Sequence, residues 1–198
     1  MISEAIAPRV RNWMLAVGRV LAGWGLTPNM LTVMGLLLNV GVAAVIATGH
    51  PRIGGGLLLV ASAFDMLDGA VARASGQVSK FGGFLDSTLD RYSEIVVFLG
   101  VLIYLLGTPD AWIGSVLSFV AATGALMISY ARARAEAAGA NASVGILPRP
   151  ERVLVLAVGL MLGKPIWALW ILAVLTHLTA FMRIAHVWNL SKREATGK

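Results

Sequence analysis

The chain has 198 residues, of which 58% are hydrophobic and 13% charged, with a net charge of +6 and no cysteine. A mean hydropathy of +0.79 excludes a soluble globular domain, and apolar runs without strand-like alternation exclude a barrel, which leaves an all-α integral membrane bundle. Disulfides and thiol nucleophiles are excluded, and the basic residues are spread over loops beside apolar runs, a distribution that excludes nucleic acid as the partner and favours membrane lipids and phosphorylated metabolites.

Residues 3–24 alternate Arg9, Arg11 and Arg19 with Val10, Trp13, Met14, Val17, Leu21 and Trp24. That pattern predicts an N-terminal amphipathic helix, lying in the membrane interface or packed on the bundle as a short cytoplasmic helix. The arginines interrupt any apolar core, so a cleavable signal is not expected. Thr27 and Pro28 then open the first span, proline being tolerated in a first helical turn.

Six transmembrane helices are expected near 28–49, 53–75, 80–106, 111–138, 151–163 and 165–190, a bundle over 28–190 within one domain, 1–198. The fifth is short, so its helix is expected to begin inside the preceding basic loop. With six spans, fourteen Lys and Arg residues fall on the side of the termini, and Arg52 and Lys164 alone fall on the other. This asymmetry places both termini, the 76–80 turn and the 139–150 loop in the cytoplasm of a multi-pass inner (plasma) membrane protein.

The second and third spans carry the most informative residues. Asp65 and Asp68 are three apart, and Asp86 and Asp90 four apart, so each pair forms a stripe on one helix face. Gly76 with Ser75, Gln77, Ser79 and Lys80 marks a turn between two consecutive antiparallel helices. Counted from Val78, Asp65 lies thirteen residues away and Asp90 twelve, while Asp68 and Asp86 lie ten and eight away. The acids therefore match in depth as well as in face. An unneutralised acid in lipid costs roughly several kcal/mol, so four converging acids read as a divalent-metal site opening to the cytoplasm. Gly69, Ala72, Gly82 and Gly83 lie around them and admit either a polar ligand or a closely packed helix.

The run Asp65-Met66-Leu67-Asp68-Gly69-Ala70-Val71-Ala72-Arg73, eight further residues, then Gly82, Asp86 and Asp90 resembles the signature of the CDP-alcohol phosphotransferases. Eight specified positions within 26 residues match it. The resemblance implies a six-helix membrane domain covering about the whole chain and a homodimer. It also implies two Mg²⁺ (or Mn²⁺) ions on Asp65, Asp68 and Asp86 holding the diphosphate of CDP-diacylglycerol, with Asp90 both touching metal and acting as general base. Asp68, Gly69, Ala72, Arg73, Ser79 and Gly82 would line the nucleotide pocket. Two metals and one free carboxylate suit the reaction, which must neutralise a diphosphate and deprotonate an alcohol.

Farther along, Arg132 and Arg134 close the fourth span, and Arg149 and Arg152 follow the loop. Such a group either satisfies the topology rule or clamps a phosphate. The segments Ser129-Tyr130-Ala131-Arg132-Ala133-Arg134-Ala135-Glu136 and Arg149-Pro150-Glu151-Arg152 are similar to the phosphatidylinositol phosphate synthase branch of that family, which implies inositol phosphate as acceptor. In that branch a lysine is common where Arg132 stands, a departure that keeps the charge. A glycerol 3-phosphate acceptor, as in phosphatidylglycerol phosphate synthases, is the alternative. A divalent-cation transporter is the alternative from outside enzymology, although four acids clustered in one half of the bundle do not line a path across it. Glu94, one turn beyond Asp90, is expected to pair with Arg91 or another buried cation. His177 is expected in an interhelical hydrogen bond, and Trp112, Trp167, Trp170 and Trp188 as interface anchors.

Overall fold

Prolines and caps divide the chain into helices. The computed structural model describes residues 15–142 and 144–195, and the described part of α1 runs over 15–23. Six helices follow: α2 (Pro28–Ala47), α3 (Pro51–Ser75), α4 (Lys80–Leu106), α5 (Ala111–Ala137), α6 (Arg149–Met161) and α7 (Pro165–Ala195). No strand occurs among the described residues. Thr27 caps α2 by accepting from the Met30 amide at 3.3 Å, and Ser79 caps α4 by accepting from the Gly82 amide at 3.0 Å. Both satisfy amides that a helix start leaves without a partner. Gly76 ends α3 in the left-handed region at φ 69°, where glycine carries no Cβ penalty, and the four-residue turn that follows reverses the chain.

All six expected segments coincide with helices to within a few residues. Four of them, α2, α3, α5 and α7, are long and apolar enough to cross a membrane. The other two fall short for identifiable reasons. α4 has 27 residues but places Lys80, Asp86, Asp90, Arg91 and Glu94 within its first fifteen. α6 begins at Arg149, inside the basic loop as expected, and has only 13 residues, roughly 20 Å at 1.5 Å per residue. Leu37, Val60, Phe119 and Phe181 are exposed while Asn39, Asp68, Ser93, Arg152 and Arg183 are buried. This inversion of the soluble pattern marks a membrane protein. Trp112, Trp167, Trp170 and Trp188 all face outward.

The helices pack as a closed ring in the order α2, α4, α5, α7, α6, α3. α3 and α4, expected side by side from their short turn, are instead held apart by α2, which packs on both. Glycines set this arrangement. A Cβ on Gly100 of α4 would come within 2.5–2.9 Å of the Ala43 backbone of α2, and one on Gly55 of α3 within 2.7–3.0 Å of Ala157, Met161 and Leu160 of α6. Bare backbone at such points lets helices approach closely, as membrane bundles favour. Val42, Ile46, Leu58, Val101, Leu105, Leu117, Leu160, Leu169 and Leu172 fill the half of the ring away from the 76–79 turn. The acids occupy the other half.

The described part of α1 packs on α3, where a Cβ on Gly18 would lie 2.6 Å from the Ala70 carbonyl oxygen. Arg9, Val10, Arg11, Trp13 and Met14, which carry most of the expected amphipathic pattern, lie outside the described residues.

Gly100→Ala should lower the thermal midpoint in detergent by an amount equivalent to about 1–3 kcal/mol, the usual cost of overpacking. Gly56→Ala, where an added Cβ meets nothing within 4 Å, should leave the midpoint unchanged or raise it.

Candidate functional site

The four aspartates line the interior from α3 and α4, Asp65 and Asp90 sharing one cation and Asp68 and Asp86 bordering one cavity, and α2 supports the two on α3. Thr32 of α2 donates through Oγ1 to Asp68 Oδ2 at 2.8 Å, and Asn39, buried on the same helix and bordering the same space as Asp65, donates to the Gly35 carbonyl at 2.9 Å. Between them, Gly35 is where Asp65 rests: a Cβ there would overlap Asp65 Oδ1. Asp86 of α4 and Asp68 of α3 border one space from opposite sides.

Asp65 and Asp90 are joined by a cation from the chain itself. Arg149, the first residue of α6, places Nη2 2.9 Å from Asp65 Oδ2 and Nη1 2.8 Å from Asp90 Oδ1. Arg91 approaches Asp90 at 3.7 Å, donates to the Ser87 carbonyl and contacts Ser129 of α5 through Nη1. Among the described residues, no three carboxylate or histidine side chains converge into a ready-made cation cage, and two of the four acids are paired with the guanidinium. The donor set nevertheless fits a hard divalent cation, being made of carboxylate oxygens, and the bridging guanidinium demonstrates that a positive group is stabilised at this place.

Next to the acids, a cavity of ≈ 320 Å³ is lined by Asp68, Gly69, Ala72, Arg73, Ser79 and Gly82, together with Pro28, Asn29, Thr32, Gln77, Val78, Gly83 and Asp86. All six residues expected around a nucleotide border this one space, whose size lies within the range of small-molecule sites, roughly 300–1,000 Å³. The N-terminal turns of α2 and α4 both open onto it, adding partial positive charge to that of Arg73, a setting that suits a diphosphate. At Gly82 an added Cβ would sit 3.0 Å from Ser79 Oγ and 3.4 Å from Asn29 Oδ1, a tight fit beside the Ser79 cap.

The four expected acceptor arginines separate into two groups. Arg149 lies at the acids. Arg152, one turn on, is buried and bound bidentately to Glu94, with Nε to Oε1 at 2.7 Å and Nη2 to Oε2 at 2.9 Å, and Nη1 donates to the Leu147 carbonyl at 3.1 Å. Glu94 thus has the structural pairing expected of it, and its partner is Arg152. Arg132 and Arg134 are exposed at the end of α5, Arg132 pairing with Glu136 at 2.8 Å. His177 makes its interhelical hydrogen bond, with Nε2 3.1 Å from the Val120 carbonyl oxygen. Thr32, Gly35 and Asn39 were not anticipated. Their signal is visible in hindsight, because two polar residues seven apart with a glycine between them interrupt an otherwise apolar span.

An acid-lined, cation-holding interior joined to a small-molecule cavity within a helical membrane bundle defines a membrane enzyme acting on a charged substrate. The chain belongs to the CDP-alcohol phosphatidyltransferase family, which residues 25–185 match. It is 36% identical to the archaetidylinositol phosphate synthase of Pyrococcus horikoshii over 93% of this chain and 95% of that one. To the phosphatidylinositol phosphate synthase of Corynebacterium glutamicum it is 38% identical, over 85% and 80%. The fold is similar to crystal structures of Mycobacterium tuberculosis phosphatidylinositol phosphate synthase. The complex with CDP-diacylglycerol superposes with a TM-score of 0.83 at 31% identity, covering 88% of this chain and 93% of that one. The complex with manganese and citrate gives the same score and identity, covering 88% of each.

Gly35→Ala, by pushing Asp65 aside, should weaken Mn²⁺ binding about 10-fold, the low end for loss of an outer support. Gly41→Ala on the same helix, where an added Cβ meets nothing within 4 Å, should leave it unchanged in the same titration. Glu94→Gln, which strands the buried Arg152 guanidinium, should cost about 3–5 kcal/mol in unfolding free energy, and the apolar pair Glu94→Leu with Arg152→Met should recover most of that.

Proposed function

We propose that this enzyme transfers the phosphatidyl group of CDP-diacylglycerol to inositol phosphate, giving phosphatidylinositol phosphate and CMP. The observation that carries the reading is the ≈ 320 Å³ cavity, in which the nucleotide-binding positions implied by the family signature meet and which ends at the acids. The names of the Corynebacterium and Pyrococcus relatives support inositol phosphate as the alcohol. Their difference leaves an ester- or an ether-linked donor compatible with the same site.

In this reading the nucleotide lies along Gly69, Ala72, Arg73, Ser79 and Gly82 with Asp68 at its diphosphate end. Asp65, Asp68, Asp86 and Asp90 hold two Mg²⁺ ions, or Mn²⁺ as in the M. tuberculosis complex, which neutralise the diphosphate and stabilise charge on the reacting phosphoryl group. Asp90 takes the proton from the attacking hydroxyl. The acceptor oxygen forms its bond to the phosphorus that carries diacylglycerol, and the bond from that phosphorus to the bridging oxygen breaks, so CMP departs with the electron pair. Arg149 clamps the acceptor phosphate, Arg132 and Arg134 bring positive charge to the mouth, and Arg152, bound to Glu94, holds the start of α6 that carries Arg149. Exclusion of water by the apolar core beyond Asp65 favours transfer over hydrolysis.

The reading extends to the whole protein. The chain is one domain with six membrane crossings, α4 and α6 completing the set. The site opens to the cytoplasm of the plasma membrane, in keeping with the basic residues gathered at that end, and two copies form a homodimer.

With CDP-diacylglycerol as donor, CMP release should be fast with inositol phosphate and slow with inositol, serine or glycerol 3-phosphate. Release with glycerol 3-phosphate alone would overturn the acceptor assignment. Asp90→Asn should lower kcat by about 10²–10⁴-fold, the range for loss of a general base.

A further inference from the structure

The guanidinium of Arg149 stands between two acids that the proposed reaction assigns to cations. We infer that Arg149 is an exchangeable internal cation: it neutralises Asp65 and Asp90 until divalent ions bind, and its displacement by them creates the phosphate clamp for the acceptor. The inference rests on the cation and acceptor roles proposed above and adds an obligatory coupling between them.

Three observations carry it. Arg149 bonds to an acid on each of α3 and α4, so one planar fork spans the gap that ions would otherwise bridge. The same guanidinium keeps a buried Nε without a hydrogen-bond partner. A buried donor without an acceptor is unfavourable, so this posture leaves part of the fork unsatisfied, whereas a phosphate can take Nε and an Nη together. The backbone beneath Arg149 is anchored independently, because buried Arg152 is locked to Glu94 and to the Leu147 carbonyl. The side chain can therefore turn while the start of α6 stays in place. No other nearby arginine combines these properties: Arg91 is engaged with Ser87 and Ser129, and Arg132 pairs with Glu136 at the surface.

Electrostatics sets the direction of the exchange. Asp65 and Asp90 hold the guanidinium between them, but ions that neutralise these acids remove its attraction and repel it, and the same charge makes the neighbouring space favourable for a phosphate. Before ions bind, both ends of the Arg149 fork are taken by Asp65 and Asp90, and an acceptor phosphate finds no open clamp. By linkage, an acceptor that captures the released Arg149 must strengthen ion binding by the factor by which ions strengthen acceptor binding.

The test is Mn²⁺ titration of the purified full-length protein by electron paramagnetic resonance, with no CDP-lipid present and therefore no turnover. Arg149→Gln, lacking the competing cation, should bind Mn²⁺ about 5-fold or more tightly than wild type, the low end of typical coupling. Arg149→Lys, a point charge without the fork, should fall between them. In wild type, adding inositol phosphate should tighten Mn²⁺ binding, and in Arg149→Gln it should not. Equal or weaker Mn²⁺ binding by a folded Arg149→Gln variant would overturn the exchange. So would a wild-type Mn²⁺ affinity indifferent to inositol phosphate, a measurement that needs no variant to fold. CMP release by wild type judges the proposed reaction separately, so an active enzyme with uncoupled Mn²⁺ binding would sink this inference alone.

Discussion

Four carboxylates in the interior of a membrane bundle are costly unless positive charge or hydrogen-bond donors are held with them. That requirement explains the layout of the polar half of the molecule. Asp65 and Asp90 share Arg149, Glu94 holds Arg152, and the Thr32 hydroxyl and the Gly69 amide donate to Asp68. Each charge or dipole placed against an acid offsets part of a desolvation cost that lipid would leave uncompensated. Remove the acids, and Arg149 and Arg152 lose their reason to point inward.

The ring of helices supplies the space for this arrangement. Two helices bearing facing acids gain nothing from packing directly, and α2 comes between α3 and α4 through surfaces with little side chain, at Gly35 and at Gly100 against Ala43. The resulting opening is bordered by the N-terminal turns of α2 and α4, where partial positive charge gathers. The apolar core closes the other half of the ring, so a polar cleft with one closed end is formed, as group transfer to an alcohol demands and permeation does not.

The basic residues divide by depth rather than by proximity in sequence. Arg149 and Arg152 are one turn apart on α6, yet one faces the acids with a donor to spare and the other is locked by Glu94. A Lys or Arg that looks like a phosphate ligand from its position can thus be a structural ion-pair partner. The deciding facts are which acid lies across from it and how many of its donors that acid occupies.

Much of the protein was determined by local rules legible in the chain. Prolines at the starts of α2, α3, α6 and α7, the Gly76 stop and the apolar runs set the helix segments, since these depend on neighbours in sequence. The three- and four-residue steps between the acids set their common face and depth, because helical geometry is local too. The order of helices around the ring was beyond such rules, as was the support of Asp65 and Asp68 by Thr32, Gly35 and Asn39 on a different helix. The bridge from Arg149 to Asp65 spans 84 positions, and the pairing of Arg152 with Glu94 spans 58. Those contacts follow from which helix backbones can approach closely and which buried charges find opposite partners, and both are settled only when all the helices are packed together.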